Sequence, residues 1–298
     1  MTYSIVARDP ETGQLGVAVQ SHYFSVGTIV SWAEPGVGAV ATQSLADPSY
    51  GPLGLALMKA GRSAKSALES LVAGDAGRDG RQVCFVDATG QVAIHTGSGC
   101  IAEAGHVSGD GFGVQANMMA RPTVWDAMAG AFTSANGDLA ERLLAALEAA
   151  EIEGGDIRGR QSAAILIVAG SPTGALWTDR LYDLRVEDHP DPIGEIRRLV
   201  TLRRAYDHMD RGDDALGAGD LDAALEEYAR AESLSPEIVE MPFWKAVGLL
   251  GVGRLDEAKS LLTEVFTREP LWRELLPRVV DAGLLEIEPE VLAELTAP

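Results

Sequence analysis

Cysteine is nearly absent: Cys84 and Cys100 are the two in 298 residues, too few for the bridges that hold small secreted scaffolds together. The expected compartment is a reducing cytoplasm. Basic residues are also scarce, 24 Lys and Arg against 44 Asp and Glu, for a formal charge of −20. Such a field repels phosphate backbones and anionic headgroups, which argues against nucleic acid or a polybasic membrane role. No apolar run approaches the roughly 18–20 residues of a membrane span. The first residues also lack the basic and apolar regions of a secretion signal. No His-x-x-x-His or Cys-x-x-Cys pair occurs, so no metal and no cofactor is expected.

What is present is an ordinary globular composition, 46% hydrophobic and 23% charged. The length allows one large domain or two unequal ones, and a compositional shift favours two. Residues 201–298 carry 21 acids and 10 bases, whereas the first 200 carry 23 and 14. The expected division is a first domain over 1–187 and a helical one over 188–298.

Tyr3 to Ala7 and Leu15 to Val19 read as a β-hairpin around Asp9-Pro10-Glu11-Thr12-Gly13. Thr28 to Ala33 and Gly38 to Gln43 read as further strands around Glu34-Pro35-Gly36. From Pro52 the apolar period turns helical over two short helices, interrupted at Gly61. Strands return at Arg81 to Val86, Gln91 to Thr96 and Gly111 to Gln115. Helices follow at Thr123 to Phe132 and Leu139 to Ala150, the second with Asp138 as N-cap. Ser162 to Ala169 and Arg180 to Val186 close the series. Blocks of strands between pairs of helices fit two antiparallel sheets faced by helices, an α+β arrangement of four layers, better than a parallel wind. The Gly-rich stretch from Gly105 to Gly113 lacks a phosphate-loop pattern and reads as turns and close sheet packing.

Beyond His189-Pro190 the chain is rich in Ala, Leu, Glu and Arg. Gly219-Asp220-Leu221-Asp222-Ala223-Ala224 is echoed by Gly253-Arg254-Leu255-Asp256-Glu257-Ala258, 34 residues later, and Pro236 and Pro270 share that spacing. A 34-residue helix-turn-helix period of this kind resembles the tetratricopeptide repeat. Two repeats are few to stand alone, so flanking helices over Pro192 to Arg211 and Trp272 to Leu285, or the first domain, are expected to support them. Such a tail implies a protein partner.

Thr2 opens the first strand. If Met1 were removed, its hydroxyl would lie beside its own α-amine, whose reference pKa near about 7.7–8.0 suits it to take the hydroxyl proton. A nucleophile and its base would then occupy one residue. The segments Thr2 to Pro10, Gly36 to Ser44, Tyr50-Gly51-Pro52 and Gly155 to Ala164 resemble the DUF1028 family over residues 2 to about 187. That resemblance implies a four-layer αββα sandwich of the N-terminal-nucleophile hydrolase type, often followed by a small C-terminal module sometimes described as peptidoglycan-binding. The proteasome-like branch of that superfamily orients its Thr with an Asp and a Lys. Here Gln20 stands near the first place and no Lys precedes Lys59, so Gln20, Ser21 or His22 would orient Thr2 instead.

The expected reaction is hydrolysis of a C–N bond in a small molecule, with Thr2, Gln43 and Ser44 as catalytic residues and Gln20, His22 and Asn117 as substrate contacts. Gln43 and Ser44 have two readings, as oxyanion donors or as groups that cap a strand and satisfy the following loop. Asp156, Arg158 and Arg160 read as internal ion pairs, with carboxylate binding as the other reading. A non-catalytic sandwich acting with the helical tail as a binding protein is the alternative, and a homo-oligomer is expected in either case.

Overall fold

The computed structural model describes residues 2–297; the expected removal of Met1 lies outside them. β1 (Thr2–Arg8) and β2 (Leu15–Ser21) form the opening hairpin. In its turn Gly13 takes φ +73°, and the Asp9 carboxylate accepts from the Thr12 backbone N–H at 3.0 Å. There follow α1 (Gly27–Val30), β3 (Ser31–Glu34), β4 (Gly38–Ser44), α2 (Tyr50–Lys59) and α3 (Ala64–Gly74). β5 (Arg81–Asp87), β6 (Val92–Thr96), β7 (Gly105–Gly109) and β8 (Phe112–Asn117) precede the pair α4 (Val124–Ser134) and α5 (Leu139–Ile152). β9 (Ser162–Val168), α6 (Leu176–Asp179) and β10 (Arg180–Val186) complete the β structure.

The strands make two sheets, one in the order β10-β9-β2-β1-β8-β7 and one in the order β3-β4-β5-β6, antiparallel throughout. Alternation along each strand explains their packing. From β1, Tyr3, Ile5 and Ala7 enter a core with Met128, Phe132, Leu143 and Leu147 of α4 and α5. From β4 and β5, Val40, Val83 and Phe85 pack under α2 and α3 with Leu55, Met58 and Leu68. The intervening positions Val6, Val17, Ala39, Ala41, Cys84 and Val86 meet between the sheets. Both sheets are therefore covered on both faces, which is why their strands read as nearly continuous apolar runs.

Two segments differ from the sequence reading. The strand expected over Thr28 to Ala33 begins at Ser31, because Gly27–Val30 form a helical turn instead. Val26 and Val30, four apart, are buried together, and Trp32 Nε1 donates to the Ile29 carbonyl at 2.8 Å. Within the Gly-rich stretch, Gly105–Gly109 is an edge strand rather than a series of turns, paired in register from Gly105↔Ala116 to Gly109↔Phe112. Gly105 itself lies against the Trp125 indole, where a Cβ would sit 2.6 Å from the ring.

Helix α7 (Pro192–Gly217) contains the division between two compact units, 1–200 and 201–298. The boundary expected at 187 falls later because Ile193, Ile196 and Val200 are buried in the core that α4 and α5 make with the larger sheet.

The second unit continues with α8 (Leu221–Leu234), α9 (Glu240–Gly251), α10 (Leu255–Arg268), α11 (Trp272–Asp281) and α12 (Pro289–Leu295). The 34-residue echo is structural as well as textual. Gly219 and Gly253 take φ +82° and +80° before α8 and α10. The buried residues Ala224, Tyr228 and Ala231 of α8 correspond to Ala258, Leu262 and Val265 of α10, each 34 positions on. The caps differ: Asp220 accepts from the Ala223 N–H at 3.1 Å, while Arg254 supplies no side-chain cap.

The close approach of the two sheets gives a stability prediction. A Cβ on Gly113 of β8 would lie 2.6 Å from Cys84 Sγ and 2.7 Å from Ile94 Cδ1. Gly113→Ala is expected to destabilise the first unit by about 1–3 kcal/mol through overpacking, read as a lower denaturant midpoint; an unchanged midpoint would contradict this account of the sheet spacing.

Candidate active site

Thr2 stands at one end of the two central strands of the larger sheet. It pairs with Ser21 of β2 on one side and Asn117 of β8 on the other. Because Thr2 and Ser4 alternate with the outward Tyr3, they face the smaller sheet. Thr2 Oγ1 donates to Ser21 Oγ at 3.1 Å, with both side chains buried. The Thr2 carbonyl accepts from Gln43 Nε2 at 3.1 Å and from Asn117 Nδ2 at 3.4 Å. Its hydroxyl and carbonyl are thus fixed from three strands.

These contacts belong to a buried carboxamide network between the sheets. Gln43 Oε1 accepts from Ser4 Oγ at 2.7 Å, and its Nε2 also reaches Gln82 Oε1 at 2.8 Å and the Gln115 carbonyl at 3.3 Å. Asn117 Nδ2 donates to the same Gln82 oxygen at 2.9 Å. Gln82 Nε2 donates to the Ala116 carbonyl at 2.9 Å and Thr96 Oγ1 at 3.0 Å, and Gln115 Nε2 to the Ala41 carbonyl at 3.2 Å. Burying these amides is tolerable because their donors find partners in the opposite sheet. With two N–H bonds already shared among three acceptors, the Gln43 side chain has no donor left for a substrate.

A cavity of about 410 Å³ opens beside this network. Thr2 and Gln43, 5% and 1% exposed, lie at its depth with Ser44, while Tyr23 and Leu45, 52% and 65% exposed, mark its mouth. Val26, Ile29, Val30 and Pro48 supply apolar wall. Ser44 takes φ +71°, a conformation uncommon outside glycine and frequent at functional sites. β3 ends its pairing opposite Ala41, so Ser44 stands beyond the strand that would otherwise cover that edge of β4.

Arg81, the register partner of Ser44 on β5, also lines the cavity. Its Nε donates to Asp75 Oδ2 at 2.8 Å and its Nη1 to the Leu45 carbonyl; Nη2 lies 3.9 Å from Asp47. Asp75 further accepts from the Gly77 N–H at 2.7 Å and from Tyr50 Oη at 3.1 Å. The Arg81 bond, followed by the Gly77 N–H, pulls the Asp75 carboxyl down to about 2. Burial, then the bond to Asp75, pushes the Tyr50 phenol up to about 12. Asp75 in turn raises the Arg81 guanidinium above its ordinary value, so the cation is permanent.

Of the expected site residues, Thr2, Gln43, Ser44 and Asn117 come together. Gln20 does not join them. It pairs with Tyr3 and Ala163, both in the core under α4 and α5, so its side chain faces away from the Thr2 hydroxyl. Neither Gln20 amide atom has a hydrogen-bond partner there among the described residues. His22 is also displaced: its backbone N–H donates to Asp156 at 3.1 Å, its Nδ1 lies 3.3 Å from the Arg160 carbonyl, and it does not line the cavity. Arg158 pairs with Asp156 and Arg160 with Glu151, in keeping with internal ion pairing. Sequence reasoning missed Ser4, Gln82, Gln115, Arg81 and Asp75, and left Ser21 as one of three alternatives. Among the described residues no group of three or more His, Cys, Asp or Glu side chains is placed to hold a metal ion. Among the same residues no helix is long and apolar enough to cross a membrane.

Facing antiparallel sheets with helix pairs outside, and a buried threonine at the head of a central strand, define an α+β layered protein with a cavity at the sheet ends that holds this threonine at its depth. The chain belongs to the DUF1028 family, a family of unknown function, whose model matches residues 2–196. It is similar to a protein of that family from Silicibacter pomeroyi known from a crystal structure. The two are 32% identical with a TM-score of 0.61, over 67% of this chain and 84% of that one. Among curated proteins none matches.

Two measurements follow from this geometry. Gln43→Leu strands several buried polar groups at once and is expected to cost roughly 2–4 kcal/mol of unfolding free energy; a variant as stable as the parent would show the network to be dispensable. Asp75 is held below its ordinary range in the fold, so its stabilising contribution is complete above about pH 4 and is lost as pH falls toward about 2. Asp75→Asn should therefore lower the unfolding midpoint at pH 6 and flatten its decline between pH 4 and 2, and parallel curves would refute this.

Proposed function

We propose that the first unit is an amidohydrolase of the N-terminal-nucleophile type, with the αββα layering of that class, acting on a C–N bond of a small molecule. The observation that carries this reading is the Thr2 hydroxyl, which lies at the depth of the cavity and is oriented by Ser21 Oγ at 3.1 Å. After loss of Met1, the Thr2 α-amine would take the hydroxyl proton as Oγ1 attacks the substrate carbonyl carbon. The tetrahedral oxyanion would be met by the Ser44 backbone N–H, on the uncovered edge of β4. As the C–N bond breaks, the amine returns the proton to the leaving nitrogen. Water then cleaves the Thr2 ester, releasing the acid and restoring the hydroxyl.

Ser21 acts here as a positioning residue, and so do Gln43 and Asn117, which hold the Thr2 carbonyl. This moves Gln43 from donor to scaffold, while Ser44 keeps a role through its backbone. Among the described residues Thr2 has no Lys or Asp partner, which sets the reading apart from proteasome-like proteolysis.

A second reading has its own observation, the structural 34-residue period in the helical unit. On it, a tetratricopeptide-like tail recruits a protein partner and the layered unit is a non-catalytic platform. The helical unit has concavities of about 540 and 340 Å³ that share Asp213 and Trp244, a surface on which such a partner would be met.

Intact mass and a variant separate the two. The hydrolase reading expects a species lacking Met1, turnover of a small amide by that species, and loss of at least about 10³-fold in turnover for Thr2→Ala with an unchanged circular dichroism spectrum. Quantitative retention of Met1 would end it.

A further inference from the structure

We propose that Arg81 is a specificity-determining residue that binds a carboxylate of the ligand at the mouth of the Thr2 cavity. The ligand class is a small carboxylate with a short apolar group. Its binding rests on the cavity alone; the further step, that such a ligand also carries the scissile amide, rests on the hydrolase reading.

Of the described residues lining the cavity, Arg81 alone carries a formal charge, and that charge is positive in a chain of net charge −20. Its guanidinium is held, not free to wave: Nε is bound by Asp75 at 2.8 Å and Nη1 by the Leu45 carbonyl. A planar donor held at two of its three nitrogens is preorganised, so less side-chain entropy is lost when the remaining N–H groups meet a carboxylate. Nη2 remains for that contact, since Asp47 approaches it only to 3.9 Å, beyond hydrogen-bond length. The Arg81 side chain is 20% exposed, partly desolvated, where a charge-assisted bond is stronger than in open water.

The rest of the cavity fits the rest of such a molecule. Val26, Ile29 and Val30 line it with hydrocarbon. Arg81 leaves the start of β5 as the register partner of Ser44 and lines the same cavity as Thr2 and Ser44. An acid group at Arg81 therefore directs the other end of a short chain toward Thr2.

Hexanoate and hexanamide are the probes, with binding followed by calorimetry on the full chain. Hexanoate is expected to bind both the parent protein and Thr2→Ala, with hexanamide weaker by at least about tenfold. Arg81→Gln should remove that preference. Asp47→Asn, which withdraws a competing carboxylate while leaving the Asp75 anchor in place, should tighten hexanoate about threefold and keeps the test decisive if Arg81→Gln fails to fold. Equal binding of the two probes, no hexanoate binding to folded parent protein, or no tightening in Asp47→Asn would overturn the proposal. Failure of the hydrolase reading would appear differently, as hexanoate binding retained with no amide turned over by the Met1-free protein.

Discussion

Everything at the functional end of this molecule depends on a carboxamide network buried between two sheets. Ser4, Gln115 and Asn117 from one sheet and Gln43 and Gln82 from the other are 0–2% exposed, yet their donors are satisfied across the gap. A hydrocarbon interface would hold the sheets as firmly, because apolar packing is not directional. It would not fix their relative register. Amides with fixed donor and acceptor positions do, since a one-residue slip would leave several buried groups unpaired at once.

The remainder of the interface follows from that choice. Away from the network many of the facing residues are small, Ala39, Ala41, Val6, Val17 and Cys84 among them, and Gly113 lies where any Cβ would strike the Cys84 sulfur. Small residues let the sheets approach closely enough for side-chain amides to span between them. Burial pushes the Cys84 thiol up, which keeps it protonated and makes it a packing group, not a nucleophile. The sheets are thus apolar and tight over most of their overlap and polar at one end. Thr2 begins where the polar end meets the cavity.

Much of this was legible in the sequence, and the exceptions have physical causes. Strands buried on both faces announce themselves as apolar runs, so the opening hairpin and β9 could be placed from those runs and their turns, and the helix pairs from their period. Gly27–Val30 misled because β-branched residues suit a strand, while burial of Val26 with Val30 decided for a turn of helix. β7 was hidden by its glycines, which are there for the Trp125 indole and the ring of Phe112. Thr2, Gln43, Ser44 and Asn117 stood out as polar residues at strand ends. Gln20 stood out because it occupies nearly the place of the orienting Asp in the proteasome-like branch, and it faces the other way, because parity along β2 pairs it with Tyr3. Parity was also the unused signal for Gln82 and Gln115: in β5, Gln82 shares a face with Cys84 and Val86, and a polar residue in that series has to be satisfied by the opposite sheet. Arg81 and Asp75 meet through a loop whose path no periodicity records.

Charge works at two ranges here, and the two oppose each other. The chain's net charge of −20 repels any anion at a distance, an effect that salt screens within about 10 Å at 0.1 M. Part of that excess is tied up locally; Glu227, for example, is drawn down to about 2 by His208 and then Arg211. At the cavity the order reverses, because Asp75 holds Arg81 in place through Nε, and Asp47 stands 3.9 Å from Nη2, beyond hydrogen-bond length. A carboxylate ligand would thus be slowed on approach and retained on contact. Such an arrangement favours discrimination over capture rate, since long-range fields act chiefly on association and a desolvated, oriented contact acts on dissociation. The scarcity of basic residues that marks the whole sequence is what makes a single anchored arginine informative: in a chain with few cations, one held by two independent bonds in the wall of the cavity that also holds Thr2 says more about the ligand such a cavity would take than any motif does.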